Sequence, residues 1–465
     1  MSRQDAIARV TQYFDSGEFA TELSRRVGLK TESRNPARAA DIDAYLNDEI
    51  GPYLQGLGFS VQVERIDGAP PFLFAERHER DGLPTVLGYG HGDVVDGMDQ
   101  SWQQGLTPWT MTKEADRLYG RGTADNKGQH TINMAALKSV LETRGRLGFN
   151  VKYLVEMGEE RGSPGLREIC TRERARLTAD LLLASDGPRL TAVEPTIFLG
   201  SRGAFPFDLV INARERGYHS GNWGGALSNP GVQLAHAIGA LVGPKGEIRV
   251  EGLKPPHLPN SVRHALADVV FTSDEDDAVV DPDWGEPGLS TSERLFGWCS
   301  LEVLAFETGN PASPVNAIPP KAWARMQLRF VDGVEPVAII PAVRAHLDRH
   351  GFGYVDVVQV NSEMHRATRL SPDHPWVNWA VASITQTTGN KPKVIPNFGG
   401  TLPNDVFVDI LGMPTLWIPH SYPACAQHAP NEHLLNSTAR EGLAIMAGLY
   451  WDLGERRPGE GLKPG

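Results

Sequence analysis

Between residues 59 and 187 short apolar or β-branched runs alternate with stretches of helical periodicity. FSVQVERI, PTVLGYGHG, NVKYLVEMG and ADLLLASDG read as strands, and three of them end in glycine-containing turns. QHTINMAALKSVLETRG and SPGLREICTRERARL between them carry apolar residues at helical spacing. Strands that alternate with helices bury both faces in an α/β layer with a largely parallel sheet. Two further helices are expected ahead of the first strand, over residues 5–27 and 36–57, the second closing near Gly56 and Gly58.

The pattern changes near residue 198. FLGSRGAFPFDLVINARE reads as one long strand, NPGVQLAHAIGALVG as a helix, SLEVLAFETG and KAWARMQLRFVDG as strands, EPVAIIPAVRAHLDRHG as a helix and YVDVVQV as a last strand. That order, β-α-β-β-α-β, is the split-βαβ pattern of a ferredoxin-like unit. A Pro-, Asp- and Glu-rich insertion interrupts it at 245–298. After residue 363 a helix, DHPWVNWAVASITQTTG, and a strand, PTLWIPH, resume the α/β character. The expected organisation is a catalytic α/β domain split into 1–197 and 363–465, with a second domain inserted at 198–362. No repeat of 20–50 residues is visible, which argues against solenoids and propellers.

Composition excludes several classes. Of 465 residues 45 are Lys or Arg and 57 Asp or Glu, a formal charge of −12. A nucleic-acid surface needs clustered cations, so no nucleic-acid partner is expected. Cys170, Cys299 and Cys425 lie far apart with no CxxC pair, which fits a reducing compartment. The first residues, MSRQDAIARVTQYF, lack the apolar core of a secretory signal, and no apolar run approaches a membrane span. The expected setting is the cytoplasm, without a membrane partner.

In open α/β sheets, sites gather where strands end. His91 and Asp93 follow PTVLGYG. Asp125 lies in GRGTADNKG, just ahead of a helix. Glu159 and Glu160 follow NVKYLVEMG, Asp186 follows ADLLLAS, and His428 lies in the loop after PTLWIPH. Alone, each has a bland reading: an Asp-Gly is usually a turn, a Glu-Glu pair a solvated face, an isolated His structural. Their joint occurrence in order carries the chemistry of a two-metal site, in which histidine nitrogens and carboxylate oxygens hold the ions and one carboxylate bridges them. Asp125 is the natural bridge, His91 and Asp186 complete one ion, and Glu160 and His428 the other. Asp93 is expected to accept the second ring N–H of His91. Glu159, next to a ligand and aimed differently, is the expected general base.

These segments, GHGDVVDG, GRGTADNKG, EERGS, SDG and HAPNE, resemble the zinc metallopeptidase family that includes carnosine dipeptidases, glutamate carboxypeptidase, aminoacylases, acetylornithine deacetylase and succinyl-diaminopimelate desuccinylase. The resemblance covers essentially the whole chain. It implies the same ligands, His91, Asp125, Glu160, Asp186 and His428, with Glu159 as base and Asp93 as orienter. Asn126 stands where an Asp is common, and HGDVVDG lacks the proline that often follows DVV; neither removes a ligand.

GYHSGNWGG with Asn229-Pro230 resembles a segment of the dipeptidase-like branch whose histidine reaches across a dimer to the partner's scissile carbonyl. Here that residue would be His219, and a homodimer is implied. By the same resemblance Asn316 and Arg329 would hold the substrate carboxylate, with Gly399, Gly400 and Thr401 as a backbone nest. Trp102, Trp109, Trp223 and Tyr422 could line a pocket or be plain core and rim aromatics. The implied activity is di-zinc hydrolysis of an amide next to a free carboxylate in a small peptide, with manganese or cobalt accepted by the same donors. An N-acyl-amino-acid deacylase is the alternative within the family. A non-catalytic metal- or ligand-binding relative would be expected to have lost a ligand or the base. A two-metal phosphoesterase would need phosphate clamps of which there is no clear sign.

Overall fold

The computed structural model describes residues 1–270, 279–360 and 365–455. The chain opens with two helices, Arg3–Asp15 and Glu18–Gly28, where the periodicity had suggested one. Gly17 between them sits at φ +87°, a left-handed turn that only glycine adopts without cost. The expected helix over 36–57 is present in pieces: a 3-10 turn Pro36–Arg38, α-helices Ala39–Ala44 and Gly51–Gly56, and a wide π-type turn Tyr45–Ile50 between them. Pro52 has no N–H to continue the regular ladder, and the turn ahead of it widens.

Six strands follow before the chain leaves this layer: β1 (Ser60–Glu64), β2 (Phe72–Arg77), β3 (Thr85–His91), β4 (Asn150–Glu156), β5 (Leu181–Ala184) and β6 (Thr196–Phe198). A second sheet holds β7 (Gly203–Asn212), β8 (Ser300–Thr308), β9 (Lys321–Phe330) and β10 (Asp356–Gln359). The chain then returns for β11 (Lys393–Ile395) and β12 (Thr415–Trp417). The large sheet runs β1-β2-β4-β3-β5-β12-β6-β11. Its centre is parallel, β4 with β3, β3 with β5 and β5 with β12, while β1, β2 and the β12–β6 contact are antiparallel. β2 and β11 were not anticipated from sequence. The long strand expected from 198 begins only at Gly203: Phe198 closes β6 in the large sheet, and residues 199–202 carry the chain across to β7 in the small one.

Parallel strands are buried on both faces and read as near-continuous apolar runs. Successive residues divide between two cores: Val86, Tyr153, Val155 and Leu183 pack with helices Arg3–Asp15, Lys127–Arg144, Pro375–Thr388 and Asn436–Glu455, while Leu87, Tyr89, Leu154 and Leu182 face the opposite layer. The small sheet, ordered β8-β9-β7-β10 and antiparallel throughout, is ferredoxin-like. Phe205, Phe207, Leu209 and Ile211 of β7 point into a separate core with Leu234 and Leu241 of one helix and Ile339, Val343 and Leu347 of another.

Of the interrupting segment, Ile248, Val250 and Leu253 join that small core, and the rest packs elsewhere. Helices Asn260–Leu266 and Thr291–Gly297 bring Leu258, Val262, Leu266 and Phe296 into the core behind the large sheet, beside Leu402, Val406 and Phe407. No described helix is long and apolar enough to cross a membrane.

Candidate metal centre

The centre of the large sheet delivers the site. β3 ends on His91, β4 is followed by the 3-10 turn Glu159–Arg161, β5 by Asp186, and Asp125 lies two residues before the helix Lys127–Arg144. That helix packs directly under β3. A Cβ at Gly90 would lie 2.7 Å from the Cβ of His130, so glycine is needed beside His91 for the helix to come this close.

The side chains converge as two triads. Ligand atoms of His91, Asp125 and Asp186 lie within 4.8 Å of one another, as do those of Asp125, Glu160 and His428. Asp125 belongs to both: its Oδ1 is 3.0 Å from His91 Nε2 and its Oδ2 3.1 Å from His428 Nε2. Glu160 Oε2 is 3.0 Å from His428 Nε2, and Asp186 Oδ2 is 3.7 Å from His91 Nε2. Glu159 is in neither triad, its Oε2 4.0 Å from His91 Nε2. His91 is fully buried, whereas the His428 side chain is 59% exposed, so the centre opens to solvent on the His428 side.

The electrostatics are those of a cation site. Burial pushes Glu159 well above the usual carboxylate range, with the charges of Asp186, Glu160 and Asp125 adding to it against His91. Burial and the Asp125 charge raise Glu160 to about 7, and burial raises Asp186 to about 6. Burial also opposes the charge on Asp125, but hydrogen bonds from His428 and His91 win and its pKa is lowered. His428 is driven up to about 11 by its bonds to Asp125 and Glu160. Three carboxylates and two histidines crowded at this depth, with Glu159 beside them, make a donor set that could hold two divalent cations, whose charge would relieve the repulsion. The residues present therefore fit the metal pair.

Three supporting contacts set the geometry. Asp93 differs from expectation. The acceptor for His91 Nδ1 at 3.1 Å is the backbone carbonyl of Asp93, its carboxylate standing at 3.4 Å. The carboxylate oxygens instead accept the backbone N–H groups of Glu159 and Glu160, both at 3.1 Å. Asn126 donates to the Ser185 carbonyl and accepts from His130, which also bonds the Tyr45 hydroxyl.

Sequence reasoning missed Glu432. This buried carboxylate accepts the N–H groups of Gly122, Ala124 and Asp125 and pairs with Arg121 at 2.9 Å. Its signal lay inside HAPNE, four residues after His428.

The remaining sequence candidates fall into two groups. Arg329 Nη1 donates to Thr401 Oγ1 at 2.6 Å, and the neighbouring Gly399 carbonyl accepts two bonds from Arg202, a second residue missed. Neither guanidinium has a carboxylate partner among the described residues, and burial, with the charge of Arg329 adding to it, lowers Arg202 to about 10. Gly400 lies between Gly399 and Thr401, its position filled by close contact with Phe398.

His219 and Asn316 are brought together elsewhere. Tyr218–His219 pairs with Ala317–Ile318, and Ser220 N–H donates to the Asn316 carbonyl at 2.9 Å. His219 is exposed, and among the described residues no hydrogen bond or ion pair joins it or Asn316 to the triads. Helix Pro230–Leu241 begins after Asn229, whose side chain caps it. Of the aromatics, Trp102 and Tyr422 are buried, Trp109 bonds Asp99, and Trp223 is exposed.

An α/β sheet with an aspartate shared by two His/carboxylate triads has the architecture of a dinuclear metallohydrolase. The sequence model of peptidase family M20/M25/M40 matches residues 87–452, and the chain belongs to that family of metal-dependent peptidases. It is 26% identical over 405 residues to Beta-Ala-His dipeptidase of Mus musculus, covering 84% of this chain and 81% of that one. It is 27% identical over 478 residues to a Cys-Gly metallodipeptidase of Candida albicans, covering 93% of each. The crystal structure of human carnosine dipeptidase 1 superposes with a TM-score of 0.74 at 23% identity, over 97% of this chain and 99% of that one.

Proposed function

We propose that the protein is a dipeptidase or carboxypeptidase-like enzyme that hydrolyses an amide bond next to a free carboxylate. The observation that carries this is Asp125, shared by both triads, with Glu159 beside them and outside both. His91, Asp125 and Asp186 would hold one divalent ion, and Asp125, Glu160 and His428 the other. The mixed nitrogen and oxygen donors suit zinc. When bound, the ions supply Lewis-acid polarisation of the carbonyl and acidify water.

Glu159 takes the proton of the attacking water on its carboxylate and returns it to the leaving amine. Asp93 holds the turn that aims Glu159 and Glu160. Arg329, with Thr401 and the Gly399–Gly400 backbone, anchors the substrate carboxylate, with Arg202 bracing the nest through Gly399. The curated relatives are both named as dipeptidases, which supports a dipeptide as substrate.

The working unit is a homodimer in which His219 and Asn316 serve the partner's centre. In support, β8 is an edge strand with Val303, Leu304 and Phe306 exposed, and exposed apolar edges invite pairing. The chain divides as 1–197 with 363–465 and an inserted 198–362, whose helices Asn260–Leu266 and Thr291–Gly297 return to the larger core. Three unpaired, buried cysteines fit the cytoplasm.

The test is hydrolysis of a dipeptide panel against N-acetyl amino acids, with and without chelator. Chelator-sensitive cleavage of dipeptides is expected. Cleavage of the acetyl compounds alone would make the enzyme a deacylase, and no cleavage of either would overturn the reading.

A further inference from the structure

Arg34 and Arg161 stand at the turn that carries Glu159 and Glu160. The guanidinium of Arg34 donates from Nη2 to the backbone carbonyl of Glu160 at 2.8 Å. Arg161 donates from Nη1 to the carbonyl of Ser33 at 3.2 Å. The two segments brace each other: the one bearing Arg34 runs beside the chain just after β3, with Ser33 N–H on the Val94 carbonyl, and the one bearing Arg161 is the turn of Glu159 and Glu160. Both arginines are exposed. Among the described residues neither has a carboxylate within 4.0 Å, and each is tied to one neutral carbonyl. Nearby arginines are neutralised, Arg38 by Glu32 at 2.9 Å and Arg25 by Glu49 at 3.0 Å. In a chain of net charge −12, two adjacent unneutralised guanidiniums are a feature to explain.

Their place supplies the explanation. Arg34 touches the backbone of Glu160, whose carboxylate is 3.0 Å from the exposed His428. Two further guanidiniums without a carboxylate partner, Arg202 and Arg329, sit on different elements by Gly399 and Thr401. We propose that Arg34 and Arg161 select substrates that carry a second carboxylate on the acyl side of the scissile bond, such as dipeptides with an N-terminal aspartyl or glutamyl residue. This rests on the proposed hydrolase reading, in which Arg329 takes the carboxylate at the other end. The free N–H groups of both guanidiniums match a planar carboxylate.

The test uses isosteric pairs, Glu-Xaa against Gln-Xaa and Asp-Xaa against Asn-Xaa, on the metal-loaded full-length enzyme. Wild type should favour the acidic member. In Arg34→Gln with Arg161→Gln the acidic-to-amide ratio of kcat/KM should fall about fivefold or more, the scale of one or two exposed ion pairs, through a higher KM for the acidic substrate. Arg→Lys variants should restore part of the ratio. A wild type without acidic preference, or variants that slow both members equally, overturns the inference while leaving the hydrolase reading intact. A loss of metal content at an unchanged ratio would instead assign the arginines to balancing the centre's charge, and also overturns it. If wild type cleaves no dipeptide, the hydrolase reading fails first and takes this inference with it.

Discussion

Glu432 holds Asp125 from behind: one carboxylate oxygen of Glu432 accepts the backbone N–H of Asp125 at 3.0 Å. The same side chain takes two more N–H groups of that loop and the guanidinium of Arg121. A carboxylate far along the chain thus fixes the loop that carries the shared ligand. Glu432→Gln keeps the volume but replaces acceptor lone pairs by N–H donors facing other donors. It should weaken metal binding about 10- to 100-fold although Glu432 is no ligand. Titration of the apo variant with zinc against wild type measures this; equal affinities would show that the loop holds without it.

Metal stoichiometry tests the bridge. The protein should bind two divalent ions per chain, and Asp125→Ala should lose most of both, because each triad is left with two donors. Elemental analysis giving one ion in wild type, undiminished in the variant, would sink the dinuclear arrangement.

The adjacent glutamates should separate chemistry from binding. Glu159→Gln should keep its metal while turnover falls by at least about 10²-fold, the usual scale of general-base loss. Glu160→Gln should lose metal from the His428 triad. The reverse outcome would mean that the two roles are exchanged.

Metal uptake should depend on pH with a definite sign. Asp186 at about 6 and Glu160 at about 7 are raised, so the metal-free centre carries extra protons at neutral pH, and His428 at about 11 carries another. Ligation displaces these protons, so affinity rises with pH through the range 5 to 8, by about tenfold per unit for each proton released. Isothermal titration in two buffers of different ionisation enthalpy counts the protons; no release would contradict the pKa directions.

Complementation tests the dimer. His219→Ala and Glu159→Gln homodimers should both be nearly inactive, removal of one oxyanion donor costing about 10²–10³-fold. After subunit exchange, a mixed dimer has one centre with an intact Glu159 facing an intact partner His219, and should recover about half of wild-type activity. A mixture that stays inactive despite proven exchange would place His219's action within its own chain or nowhere.

The line between sequence and tertiary structure runs through particular residues. The apolar runs at 84–92, 150–158 and 179–187 made β3, β4 and β5 legible, because a strand buried on both faces must be apolar throughout. His91, Asp125, Glu159, Glu160, Asp186 and His428 were legible because each follows or flanks such an element. β2 was not, since its antiparallel place beside β4 depends on a partner distant in the chain. The change of sheet between Phe198 and Gly203 was hidden because extended residues on both sides look alike whichever sheet they join. The return of Val262 and Phe296 to the larger core was equally hidden, for apolar spacing states that a helix is buried and not against what. Asp93's grip on the Glu159–Glu160 backbone, Glu432 beneath Asp125 and Arg202 on Gly399 were decided only by folding. Each is a side chain bonded to the main chain of a remote segment, and main-chain N–H and C=O groups are the same at every residue. Local patterning therefore determined the elements and the ligand types, and tertiary packing alone determined which backbone each supporting side chain would hold.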